Sequence, residues 1–253
     1  MHRPCPPNFA TIPVAPQTRY DILMQFHHRL LFYIIAFSLL TTSTVTSAAA
    51  PSTSPSTTAA TRPSVEIFPI GDTNSVVYVL PVDGSLLTSM DSLHQLVLES
   101  VSHLKASQKF NIIFIEGDTG RALSNQSLSP TLENRRKADD FLNTTTGHNG
   151  DIVPALRLAF AQHPQRLFFL MNGDAPNSRE VTEEIRNLNA ALKPSAKVQI
   201  HTIGWMDHGE TYEKWLKDIA AENAGTYRFI DEKTLERIEK SRTNADTSKP
   251  AAQ

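Results

Sequence analysis

Short runs of uninterrupted apolar residues, each closed by small or polar turn residues, constrain this chain more than any other feature. The clearest is Ser75-Val76-Val77-Tyr78-Val79-Leu80, which runs into Pro81-Val82-Asp83-Gly84-Ser85. A half-buried strand alternates apolar and polar residues. A strand apolar at every position has both faces covered, as in a parallel sheet packed between helices. Asn111-Ile112-Ile113-Phe114-Ile115 and Leu167-Phe168-Phe169-Leu170-Met171 repeat the pattern. Residues 198–203 give a further strand, and Thr226-Tyr227-Arg228-Phe229-Ile230 alternates like a strand at a sheet edge.

Between these runs the spacing turns helical. Leu93, Leu96, Val97, Val101 and Leu104 share one helix face, as do Val153, Leu156 and Phe160 behind an N-cap at Asp151. Asn177 and Glu180 stand at capping-box spacing before Val181, Ile185, Leu188 and Leu192. Tyr212, Trp215, Leu216 and Ile219 mark another helix, with Gly225 expected at positive φ beyond its end. Residues 134–142 form a polar helix, residues 121–123 a short strand, and residues 65–68 a leading edge strand closed by Pro69. Strands alternating with helices across short loops predict an α/β fold. Its sheet is mostly parallel, doubly wound and Rossmann-like, with six strands and helices on both faces. The packed domain is expected over residues 64–231, with a charged helix and a disordered tail over residues 232–253.

The amino-terminal part does not belong to this pattern. Residues 30–40 (LLFYIIAFSLL) are apolar, His27-His28-Arg29 precedes them, and small residues lead to Ala50. Those are the parts of a secretory signal peptide. The apolar core is shorter than the roughly 20 residues of a spanning helix. Residues 1–50 therefore read as a signal peptide or an uncleaved membrane anchor, with Met24 a candidate true start. Residues 51–63 (PSTSPSTTAATRP) form a Pro/Ser/Thr linker. The expected location is periplasmic, extracellular or tethered to the membrane. Cys5, the chain's one cysteine, lies upstream of Met24, so a disulfide framework is not expected. A net charge of -2 gives no electrostatic case for nucleic acid, and any membrane contact is expected only through residues 1–50.

Residues 76–85, 147–159, 167–173, His201-Thr202-Ile203-Gly204 and residues 220–229 together resemble a von Willebrand factor type A domain. The likeness is to the bacterial extracytoplasmic members. It implies a protein-binding module, and the family usually carries a Mg²⁺-dependent adhesion site at the carboxyl ends of its strands. Carried across by motif, that site departs from the family pattern here. The first Asp of its Asp-x-Ser-x-Ser motif falls on Pro81, the first Ser on Asp83, and the second Ser is kept as Ser85. The loop Thr falls on Gly150, followed by Asp151, and the later Asp falls on Asn172. The resemblance thus implies a degenerate metal site and no required cofactor.

Three functional readings are open at this point. A protein partner of unknown identity would meet the rim formed by Asp83, Ser85, His148, Asp151, Asn172, Asp174, Trp205 and His208. A rebuilt Mg²⁺ site would use Asp83, Ser85 and Asn172, since a hard cation takes oxygen ligands. A hydrolase would need Ser85, His148, Asp174 and His208 in mutual contact. No catalytic motif supports the last reading, because Ser85 is not in a Gly-x-Ser-x-Gly elbow and no phosphate-cradling glycine loop is present.

Overall fold

The structure, a computed structural model, describes residues 67–82, 87–144, 150–173, 177–207 and 209–247. Strands β1 (Ser75–Pro81), β2 (Lys109–Ile115), β3 (Arg121–Ala122), β4 (Arg166–Met171), β5 (Gln199–Trp205) and β6 (Tyr227–Ile230) form one sheet in the order β3-β2-β1-β4-β5-β6. Every pairing is parallel except that of β3 with β2. The helices are α1 (Leu87–Ser102), α2 (Leu132–Leu142), α3 (Ile152–Ala161), α4 (Ser178–Ala190), α5 (Glu210–Glu222) and α6 (Glu232–Thr247). Among the described residues, no helix is long and apolar enough to cross a membrane.

The two-residue period of a strand sends alternate residues to opposite faces. Val76, Tyr78 and Leu80 join Phe110, Ile112, Phe114, Phe168, Ile203 and Trp205 on one face, under Leu93, Leu96, Val97 and Val101 of α1. Val77 and Val79 join Ile113, Phe169 and Ile200 on the other, under Leu156 and Phe160 of α3, Ile185 of α4 and Leu216 of α5. Both faces are therefore covered, as the apolar runs predict. β1 lies at the centre. The chain leaves it on one side toward β2 and returns on the other at β4, so the strand order reverses between β1 and β4. The crevice at such a reversal is where open α/β sheets bind their ligands.

Tyr78 anchors the first face. Its ring stacks on Phe168 at 5.5 Å and meets Phe68 edge-on at 5.3 Å. Its hydroxyl lies 2.7 Å from the Ser100 Oγ of α1, which satisfies the polar end of a fully buried ring. Burial pushes the phenol well above its ordinary pKa.

Several local expectations are corrected. Ile67 and Phe68 lie in no strand; both are buried, and Phe68 plugs the space between Tyr78 and Phe168. Asn177 precedes α4 but makes no side-chain cap hydrogen bond. After α5 the left-handed residue is Ala224, with φ of 54°, rather than Gly225. Gly225 is required for a different reason: a Cβ there would stand 1.7 Å from the Ile200 carbonyl oxygen. The charged helix expected after Asp231 runs on to Thr247, and its Leu235 and Ile238 pack into the first core face. Packing thus continues past residue 231.

His201 is 5% exposed on β5. Burial, then the neighbouring Arg166 and Arg228 charges, push its pKa down to about 4. Burial also lowers that of His94, against the pull of Asp91 and Asp139. Both imidazoles fold neutral and would take up a proton near pH 6.5 when unfolded. The unfolded chain therefore binds more protons between pH 6.5 and 4, and stability falls as pH drops through that window. Denaturant curves should show wild type losing about 2 kcal/mol between pH 7 and pH 5 through His201, with a smaller loss in His201→Gln. Equal stability at the two pH values would refute this. Gly225→Ala should cost about 3 kcal/mol in the same assay, because backbone rather than a flexible side chain blocks the new methyl.

Candidate functional site

The carboxyl ends of β1, β4 and β5 converge on the reversal between β1 and β4. Of the rim residues expected from sequence, Asp83, Ser85, His148, Asp174 and His208 lie outside the described residues. Asp151, Asn172 and Trp205 are described, and they fare differently.

Trp205 is not on the rim. β5 runs two residues past Ile203, and the strand alternation turns Trp205 into the first core face with full burial. Register with Ile230 of β6 fixes that extension. The indole Nε1 donates to the Ser89 Oγ of α1 at 3.0 Å. A surface loop would have left the ring available to a partner; a central position in the core does not.

Asp151 serves as a cap. Its backbone is extended, and its carboxylate accepts from the Val153 N–H at 3.0 Å at the start of α3. That satisfies one of the first-turn donors that the helix itself cannot pair. Asn172 follows the last residue of β4 and is half-buried. Gly173 comes next with φ of 85°, and a Cβ on it would stand 2.7 Å from the Asp207 Oδ2. The carboxylate of Asp207 thus packs against the turn after β4. Tyr212 of α5 reaches the same turn from beneath, its buried hydroxyl donating to the Met171 carbonyl.

Gly150 is tightly confined. Its N–H donates to the Ile115 carbonyl at 2.9 Å, and the Asp151 N–H donates to the Gly117 carbonyl at 3.0 Å. Backbone pairing thus knits the start of α3 to the turn after β2. A Cβ on Gly150 would lie 2.1 Å from the Gly117 oxygen and 2.3 Å from its nitrogen. This is the position to which the family resemblance assigns a threonine ligand. Here it has no side-chain oxygen, and the room for one is filled by the Gly117 backbone. Pro81, at the position of the leading aspartate, is buried and likewise has no side-chain donor. Among the described residues no cluster of three histidine, cysteine or acidic side chains could hold a metal ion.

The sequence reading missed two rim residues. Nothing in the local sequence places Asp207 against Gly173. Arg121 on β3 pairs with Glu116 and donates to the Thr144 carbonyl at 2.9 Å. Its guanidinium lies 4.5 Å from the centre of the Phe141 ring and 5.0 Å from that of Phe114. The signal for it was available, since Arg121 lies on the short strand that pairs with the end of β2.

Two substitutions check this geometry. Gly150→Thr should lower stability by about 2 kcal/mol or more by denaturant unfolding, since the branched side chain must displace backbone. It should also confer no Mg²⁺-dependent shift of the thermal midpoint. A variant as stable as wild type would mean the loop yields easily. Trp205→Phe should cost about 1–3 kcal/mol, through lost volume and the lost indole hydrogen bond to Ser89; a neutral change would contradict core burial.

No protein-family model and no curated protein matches the chain. Among solved structures, the chain is similar to one described as a von Willebrand factor type A from Catenulispora acidiphila. The match is 18% identical with a TM-score of 0.54, and covers 66% of this chain and 41% of that one. The chain thus spans well under half of that protein's length, and at this identity the likeness is one of fold. Sheet order, two-sided helix cover and this structural match together establish that the described domain adopts a von Willebrand factor type A-like fold.

Proposed function

We propose that this chain is an exported protein-binding module that meets its partner through the carboxyl-end rim, without the metal of related adhesion sites. The observation that carries this reading is the closed position at Gly150, where Gly117 backbone fills the place of a ligand side chain. Pro81 supports it, because a second ligand position has no oxygen to offer. Octahedral Mg²⁺ tolerates missing ligands poorly. What the described rim does present is exposed Asp118 and Asp207 and the Arg121–Glu116 pair, set on the ends of a rigid sheet. Polar groups held at the ends of a rigid sheet suit recognition of another protein surface, where charge sets orientation and specificity. The signal-like residues 27–50 and the linker over residues 51–63 are what one expects of a domain carried out of the cytoplasm and held at a distance.

Site-specific photocrosslinking tests the reading. A crosslinking amino acid at Asp118 or Asp207 should trap a discrete partner in the native host, and the yield should be unchanged by a chelator. The same group at Gln126 or Gln165, exposed at the opposite end of the sheet, should trap none. Crosslinks confined to that opposite end would contradict the rim assignment. Rim crosslinks lost on chelation would replace it with a rebuilt metal site at Asp83, Ser85 and Asn172.

A further inference from the structure

His201 and Arg228 pose a problem that the rim reading does not address. The Thr226 N–H donates to His201 Nδ1 at 3.2 Å, and the Thr226 hydroxyl lies 2.9 Å from the same atom. A backbone N–H can only donate, so Nδ1 is the nitrogen with the lone pair. The ring proton of the neutral imidazole is therefore on Nε2. Nε2 is buried and has no acceptor among the described residues. The Nε–H of Arg228 is also buried and also has no acceptor there. Two buried donors are thus left without acceptors, where native structures leave few such groups.

The two donors share one face. Arg228 pairs in register with Ile203 of β5, and His201 stands two residues earlier on the same side of that strand. That makes them diagonal neighbours on adjacent strands, within reach of a long side chain. Arg166 flanks His201 on its other side, in register with Gln199 two residues before it. Its Nε donates to the Gln199 Oε1 at 3.0 Å, and its other nitrogens are turned to the Pro69 and Ile70 carbonyls. Arg166 is held by neutral acceptors, and no carboxylate among the described residues pairs with either arginine. Arg166 and Arg228 are both half-exposed, on strands either side of the buried His201.

Two unserved donors, one of them on an unneutralised guanidinium and with the Arg166 charge nearby, match an acceptor that carries negative charge. We propose that His201 and Arg228, with the added charge of Arg166, form a site for a small oxyanion of phosphate or carboxylate type. The anion accepts from Arg228 Nε–H and His201 Nε2–H, and these charge-assisted hydrogen bonds offset the cost of burying both donors. The site lies on the first core face rather than at the rim, so its test is independent of partner binding.

NMR of the full chain reads the two donors directly. Inorganic phosphate, and separately acetate, are titrated against sodium chloride at matched ionic strength. The Arg228 Nε–H and His201 Nε2–H resonances should move saturably with at least one oxyanion and stay still with chloride. The stronger of the two distinguishes a phosphate from a carboxylate ligand. Arg228→Gln should weaken that binding at least about tenfold while Arg121→Gln, at the rim, leaves it unchanged. Should Arg228→Gln fail to fold, Arg228→Lys keeps the charge but lacks the Nε–H, and should weaken binding several-fold. Resonances that respond to neither oxyanion, or affinity unaltered by the Arg228 variant, would overturn the proposal.

Discussion

Burial of the central sheet on both faces is the constraint from which the rest of the molecule follows. Every residue from Val76 to Val82, through the first strand and its exit, is buried. Alternate side chains must then find two different cores, and each core needs its own helices. The chain meets that demand by leaving β1 on one side and returning on the other. The same winding sets the carboxyl ends of β1 and β4 side by side at the reversal, where open α/β sheets have their binding crevice. The site's position is thus a consequence of packing, set before any functional residue is chosen.

What that crevice can do chemically depends on a few atoms. In the related fold a metal would sit here, held by oxygens from separate loops. In this chain the loop before α3 is drawn against the turn after β2 by two backbone hydrogen bonds, and Gly150 is the residue that permits the approach. The family resemblance assigns a ligand side chain to this position, and the Gly117 backbone occupies the space it would need. The neighbouring Asp151 carboxylate is spent on capping α3. Asp207, lodged against Gly173, adds a carboxylate after β5.

Much of this was legible in the sequence, for a physical reason. Runs such as Val76 to Leu80 and the helical stripe of Leu93, Leu96 and Val97 report burial directly, and burial decides an α/β fold. The cap at Asp151 was legible as well, because it depends only on near neighbours. What escaped depends on contacts between distant segments. Trp205 reads as a loop residue until the register of β5 with β6 extends the strand beneath it. Gly225 reads as a left-handed cap, whereas its true constraint is the Ile200 carbonyl on another strand. The sequence also shows that Gly150 lacks a hydroxyl. It does not show that the Gly117 backbone occupies the space one would need.

The central claim, that this rim works without the metal of related adhesion sites, is tested most directly by a magnesium titration followed by amide NMR. The account predicts that the amides of Val82, Gly150, Asp151, Asn172, Gly173 and Asp207 keep their positions from chelator to excess Mg²⁺, apart from the uniform drift of ionic strength. Saturable shifts confined to those amides would contradict it and place a rebuilt metal site at the end of the central strand.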